Sequence, residues 1–150
     1  MCNSVQDGAR VPSTAIRSAV RVNKMSLILI VDDDKAMCEA TTGLVHAFGF
    51  AVQPYGSGEA LLASDRLDET ACLILDVHMP GMSGLELDRR LKASGWSIPT
   101  VFITAFPDRA VRGRAMRTGA VGYLSKPFSA KVLLKTIRRA LEKGSENGVA

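Results

Sequence analysis

Carboxylates, a hydroxyl and an ammonium group stand at the ends of short apolar runs scattered along this 150-residue chain. Ala71-Cys-Leu-Ile-Leu75 runs into Asp76, and Leu27-Ile-Leu-Ile-Val31 runs into Asp32, Asp33 and Asp34. Thr100-Val-Phe-Ile103 ends on Thr104, and Val121-Gly-Tyr-Leu124 ends near Lys126-Pro127. Asp32 and Asp33 beside Asp76 would be a cluster of like charges, which raises the pKa of at least one member. A divalent cation relieves that repulsion, and Mg²⁺ is commonly held by one or two carboxylates, waters and phosphate oxygens. A strand-ending carboxylate is also a nucleophile toward phosphorus, giving an aspartyl phosphate. That chemistry calls for a metal, a hydroxyl donor and a cation on the phosphoryl oxygens. Thr104 and Lys126 are the right types. Consecutive aspartates alone would equally suit a solvated helix N-terminus; it is Asp76, far away in sequence, that favours a metal site.

These residues converge only if the runs are strands of one sheet. The periodicity alternates between strand and helix throughout. A stripe of Met37, Ala40, Leu44 and Ala47 or Phe48 predicts a helix over about 35–48, stopped by Gly49. Residues 51–55 read as a short strand whose Pro54 suits a sheet edge. Ser57 caps a short helix. The loop 79–84 leads into a helix over about 84–93, and a weaker helix spans 109–118 with Gly113 inside it. Ser129 caps a last helix whose stripe is Leu133, Leu134, Ile137, Ala140 and Leu141. The result is a (βα)₅ chain, an α/β doubly wound parallel sheet with helices on both faces. In such sheets the functional crevice lies outside the carboxyl ends of the strands, where Asp32, Asp33, Asp76, Thr104 and Lys126 fall. The sharp turn that aims Lys126 at this edge predicts a cis Lys126–Pro127 bond.

Length fits one domain with one core. The balance of 47% hydrophobic and 23% charged residues is that of an ordinary globular protein. No apolar stretch approaches the roughly 20 residues of a membrane span, so no membrane association is expected. Cys2, Cys38 and Cys72 show no metal-ligand spacing and read as reduced thiols of a cytoplasmic protein. Residues 1–25 read as a disordered basic N-terminal extension, or as the product of a start codon ahead of Met25. The domain would span 26–143, with a polar tail over 144–150. The net charge of +4 hides an asymmetry: residues 26–88 hold eleven acids and two bases, residues 89–150 thirteen bases and three acids.

The wording of the strand ends resembles the receiver domain of a two-component response regulator. The matching motifs are Ile-Val-Asp-Asp-Asp at 30–34, Leu-Asp-Val-His-Met-Pro-Gly-Met-Ser-Gly at 75–84, Ile-Thr-Ala at 103–105 and Gly-Tyr-Leu-Ser-Lys-Pro-Phe at 122–128. They stand in family order and spacing over about residues 26–143, and the loop wording is similar to receivers that precede LuxR-type DNA-binding domains. The resemblance implies a flavodoxin-like strand order 2-1-3-4-5 and Mg²⁺ as cofactor. It implies Asp76 as phosphoacceptor, Asp33 as direct metal ligand, Asp32 acting mostly through water and His78 giving its backbone carbonyl to the ion. Thr104 would hydrogen-bond the phosphoryl group and Lys126 would pair with it. Tyr123 would report the shift of Thr104 to the surface, and Ala105 would leave room for the phosphodonor. His78 and Phe106 occupy positions that tune how long the phosphate lasts.

The expected function is thus a phosphorylation switch in a phosphorelay, not an enzyme beyond its own phosphorylation and dephosphorylation. The donor would be a sensor histidine kinase or phosphotransfer protein. The signal would leave through the face of the fourth helix, fifth strand and fifth helix toward an acidic downstream protein. Two alternatives compete. A Mg²⁺-dependent phosphatase with an aspartyl nucleophile would place a second Asp two residues on, where His78 stands. A DNA-binding regulator truncated of its output domain rests only on the basic second half; the tail leaves no room for a helix-turn-helix, so no direct nucleic-acid binding is expected.

Overall fold

The computed structural model describes residues 26–149. The expectations for residues 1–25 lie outside them. Five strands form one parallel sheet: β1 (Leu27–Val31), β2 (Ala51–Tyr55), β3 (Thr70–Asp76), β4 (Thr100–Thr104) and β5 (Gly122–Ser125), in the order β2-β1-β3-β4-β5. Five helices connect and cover them: α1 (Lys35–Ala47), α2 (Gly58–Leu62), α3 (Gly84–Ala93), α4 (Arg109–Arg117) and α5 (Ala130–Val149), with a 3₁₀ turn at Leu67–Glu69. This is the flavodoxin-like (βα)₅ arrangement.

Alternate residues of a strand face opposite sides, so the sheet carries two cores. Leu29, Val31, Leu73, Leu75 and Phe102 pack with α2, α3 and α4 through Leu61, Leu87, Leu91 and Ala115. Ile28, Ile30, Ile74, Val101 and Ile103 pack with α1 and α5 through Cys38, Val45, Leu133 and Ile137. β1 and β4 are buried at every position, as strands covered on both faces must be. β2 lies at one edge, where Pro54 costs no ladder bond, and β5 at the other.

Each helix starts on a side chain that accepts from an orphan N–H. Asp34 accepts from Met37 (3.1 Å), Ser57 from Ala60 (3.1 Å), Ser83 from Glu86 (3.1 Å), Asp108 from Val111 (3.0 Å) and Ser129 from Val132 (3.1 Å). Gly49, at φ 100°, ends α1 in the left-handed conformation.

Two expectations shift. The buried line of α1 is Cys38, Thr41 and Val45, with Met37, Leu44 and Phe48 half-buried and Ala40 and Ala47 exposed. The stripe is therefore rotated by one residue, because Thr41 is buried despite its hydroxyl. The polar residues from 144 on, read as a tail, continue α5 to Val149. No helix among the described residues is long and apolar enough to cross a membrane.

Candidate functional site

The strand registers deliver the site. Val31 lies opposite Leu75, so Asp32 follows one strand as Asp76 ends its neighbour. Asp76 lies opposite Ile103, and Thr104 opposite Ser125, the residue before Lys126. β1 and β3 are also where the chain's winding reverses, the place at which open α/β sheets leave a crevice.

Asp32 and Asp76 are buried and Asp33 is exposed, and one carboxylate oxygen from each of the three lies within 4.8 Å of the other two. Lys126 Nζ donates to Asp32 Oδ2 at 2.9 Å and stands 3.6 Å from Asp76 Oδ2. The His78 N–H lies 3.3 Å from Asp76 Oδ1, and the Asp34 N–H 3.0 Å from Asp32 Oδ1. Burial pushes the Asp76 carboxyl up to about 7, reinforced by its hydrogen bond with Asp32 and by that neighbour's charge. Lys126 and the His78 N–H pull the other way without cancelling it. Burial works against the charge on Lys126, but the Asp32 and Asp76 carboxylates outweigh it and hold the ammonium above its usual range. A crowded set of hard oxygen donors with one cation among three acids is under-neutralised, and it fits a divalent ion such as Mg²⁺.

Thr104 is fully buried, and its hydroxyl oxygen accepts from the Phe106 N–H at 3.0 Å, leaving the hydroxyl hydrogen free to donate elsewhere. Tyr123 points inward, and its hydroxyl accepts from the Asp108 N–H at 3.3 Å. Lys126–Pro127 is cis, and the Lys126 N–H donates to the Thr104 carbonyl at 2.7 Å. The His78 side chain is exposed and meets Phe106 edge-on, ring centroids 5.8 Å apart. Phe106 is 71% exposed and forms the other side of the rim.

Asp32, Asp33, Asp76, Thr104 and Lys126 thus meet at one sheet edge, with His78 and Tyr123 adjoining it. Three contributors escape sequence reasoning. Asp34 belongs to the cap of α1 rather than to the acid cluster. Asp108 caps α4 and ties that helix to Tyr123; its place three residues before Val111 is a readable cap signal. Gly84 is needed because a Cβ there would overlap the Asp76 carbonyl, while its N–H donates to Val77 at 3.0 Å. Only the Ser-Gly pair at the helix start hints at that close approach. A groove of about 680 Å³ between α1 and β2 shares Asp32 and Asp33 with the site, and its other walls include Cys38, Glu39, Val52, Pro54 and Tyr55.

Fold and site define a doubly wound α/β domain with an acidic centre at its β1/β3 switch point. The chain belongs to the response regulator receiver domain family, whose sequence profile matches residues 28–138. It is 41% identical over 120 residues to the response regulator protein TodT of Pseudomonas putida, covering 80% of this chain and 53% of that protein. It is 39% identical over 118 residues to the nodulation protein W of Bradyrhizobium diazoefficiens, covering 79% and 52%. Among solved structures it resembles the response regulator StyR (TM-score 0.75, 39% identity, covering 81% of this chain and 61% of that one) and FixJ-N (TM-score 0.70, 36%, 77% and 93%). The chain spans about half the length of the curated relatives it matches. It is a receiver domain of the two-component class, whose members are phosphorylated by histidine kinases.

Proposed function

We propose that this domain is a switch set by phosphorylation of Asp76. The observation that carries the reading is the buried, strand-ending Asp76, held beside Asp32 and 3.6 Å from the Lys126 ammonium. A carboxylate oxygen of Asp76 attacks the phosphorus of a phosphohistidine on a kinase or phosphotransfer protein; the P–N bond breaks and the imidazole leaves with a proton. Lys126 balances negative charge on the transferred group, and the Thr104 hydroxyl turns to donate to a phosphoryl oxygen. Asp32, Asp33, Asp76 and the His78 carbonyl would hold Mg²⁺, which when bound neutralises the charge that otherwise repels an incoming phosphate. The domain acts as an enzyme only on itself: water later attacks the acyl phosphate and returns the carboxylate. The His78–Phe106 pair stands at the rim through which that water arrives.

Movement of Thr104 toward the phosphoryl group changes what lies beneath Tyr123, and Tyr123 is tied to the start of α4. The signal therefore leaves through α4, β5 and α5.

Incubation with phosphoramidate and Mg²⁺, read by intact mass, tests the reading. The wild type should gain about 80 Da, the mass of one phosphoryl group on an acyl acceptor. Asp76→Asn and metal-chelated samples should gain none. Full labelling of Asp76→Asn would show that another residue is the acceptor.

A further inference from the structure

The groove between α1 and β2 takes no part in the phosphoryl chemistry, yet it opens onto the same acids. Its volume of about 680 Å³ falls in the range of small-molecule sites. Cys38 and Thr42 of α1 face Val52, Pro54 and Tyr55 of β2 across it, so its walls are mostly apolar. Two further lining residues are Gly43 and Gly56, and a Cβ added to either would meet no atom within 4 Å. No side chain of these two residues fills the hollow. The Thr42 hydroxyl is buried beside the Cys38 thiol without a hydrogen-bond partner of regular geometry, a costly state for a buried polar atom. Asp33 and Glu39 stand exposed on the lining, against Lys35 as its one lysine or arginine. Among the described residues none of these three charges is in an ion pair.

We propose that this groove binds a small amphiphilic cation, an aromatic body carrying one ammonium group, and that the ligand and Mg²⁺ oppose each other at Asp33. The second clause rests on the metal reading given above; the first does not. The apolar walls take the aromatic body, and the Thr42 oxygen can accept from a ring N–H. The surplus of acid over base selects an ammonium over a carboxylate. An added peptide strand is the poorer fit, because Pro54 offers no N–H at this edge of the sheet. A second copy placed symmetrically would set acid against acid. Asp33 lines the groove and also belongs to the acid cluster. An ammonium beside it reduces the negative charge left for a divalent ion, and the ion does the same to the ammonium.

The ¹⁵N-labelled full chain, titrated with tryptamine and separately with indole-3-propionate, tests both clauses. The two probes share a ring and carry opposite charges. Tryptamine should saturate with a Kd below about 1 mM and shift the amides of Cys38, Gly43, Val52 and Gly56, and the propionate should bind at least about tenfold more weakly. Gly43→Leu places a side chain that helices favour into the groove and should weaken tryptamine at least about tenfold. Ala47→Leu, exposed on α1 outside the groove, should change it by less than about twofold. Equal binding of the two indoles, or unchanged binding to Gly43→Leu, would overturn the site. Self-association in light scattering that tryptamine disperses would make a second copy the occupant and overturn it too. So would tighter tryptamine binding in Arg17→Glu/Arg21→Glu, which would make the chain's own N-terminal residues the occupant. Saturating Mg²⁺ at constant ionic strength should weaken tryptamine at least about threefold, and calorimetry should show tryptamine weakening Mg²⁺ by the same factor. Mg²⁺ that binds without changing tryptamine would overturn the opposition at Asp33. Failure of the metal reading would appear as no Mg²⁺ heat with the protein alone; it would remove the second clause, while the indole titrations still decide the first.

Discussion

Asp76 carries a proton more readily than an ordinary aspartate, and this makes the site a measurable source of strain in the fold. Its carboxyl sits at about 7 in the native state through burial first and Asp32 second, against an ordinary value of 3.8. A raised carboxyl favours the folded state fully below the unfolded value, and that favour is lost as pH rises through the folded value. The native state is therefore penalised at and above neutrality. Asp76→Asn should raise stability near pH 8 by up to about 4 kcal/mol and change it little near pH 4, as measured by urea denaturation at the two pH values. Saturating Mg²⁺ should shrink the gain, because the ion stabilises the ionised wild type. Lys126 is the converse case. It is the near-buried cation between Asp32 and Asp76, so Lys126→Ala should cost about 3 kcal/mol at neutral pH. A loss below about 1 kcal/mol would mean that water neutralises the carboxylates without it. At this scale the sequence was most legible where residue type and strand end coincide, as at Asp76 and Thr104. It did not give Asp34 its part as the cap of α1, because only the helix geometry turns that carboxylate onto the Met37 N–H while Asp33 stays with the cluster.

Among the elements, α4 and the loop before α3 are the informative ones. Asp108 caps α4 by its side chain and holds Tyr123 by its backbone N–H. Asp108→Ala should cost about 1 kcal/mol and speed amide exchange in the first turn of α4 while leaving β4 protected. Gly84 fixes the return of the loop against the end of β3. Gly84→Ala should destabilise by more than about 2 kcal/mol, because the added carbon meets backbone rather than a movable side chain. Thermal melting of that variant, beside Gly43→Ala, which has open space around it, checks the point. Strand positions were readable to within a residue or so, since runs such as Leu-Ile-Leu-Ile-Val have no other stable place than a sheet covered on both faces. Helix faces were less so. The line of α1 slipped by one residue because Cys38, Thr41 and Val45 mix a thiol and a hydroxyl with a single strong hydrophobe. The end of α5 was misplaced because Gly144 looks like a stop signal, yet the helix continues beyond it.

For the whole molecule, the strand order turns a property of the sequence into a property of space. The acidic first half supplies β2, β1 and β3 with α1 and α2; the basic second half supplies β4 and β5 with α4 and α5. The charge counts were plain in the sequence, as were the five alternating units. That the two signs would lie at opposite edges of one sheet followed only once the order was known, and the contacts joining Arg112, Tyr123 and Asp108 have no linear signature at all. The consequence is one of timing. A body with a negative and a positive end does not meet a charged partner at random; it is turned in the last nanometre of approach, within the roughly 10 Å over which charge is felt at about 0.1 M salt. Stopped-flow mixing with an acidic peptide should show an association rate that falls steeply as salt is added, while the rate of parting changes far less. Such a molecule spends few of its collisions on the wrong edge.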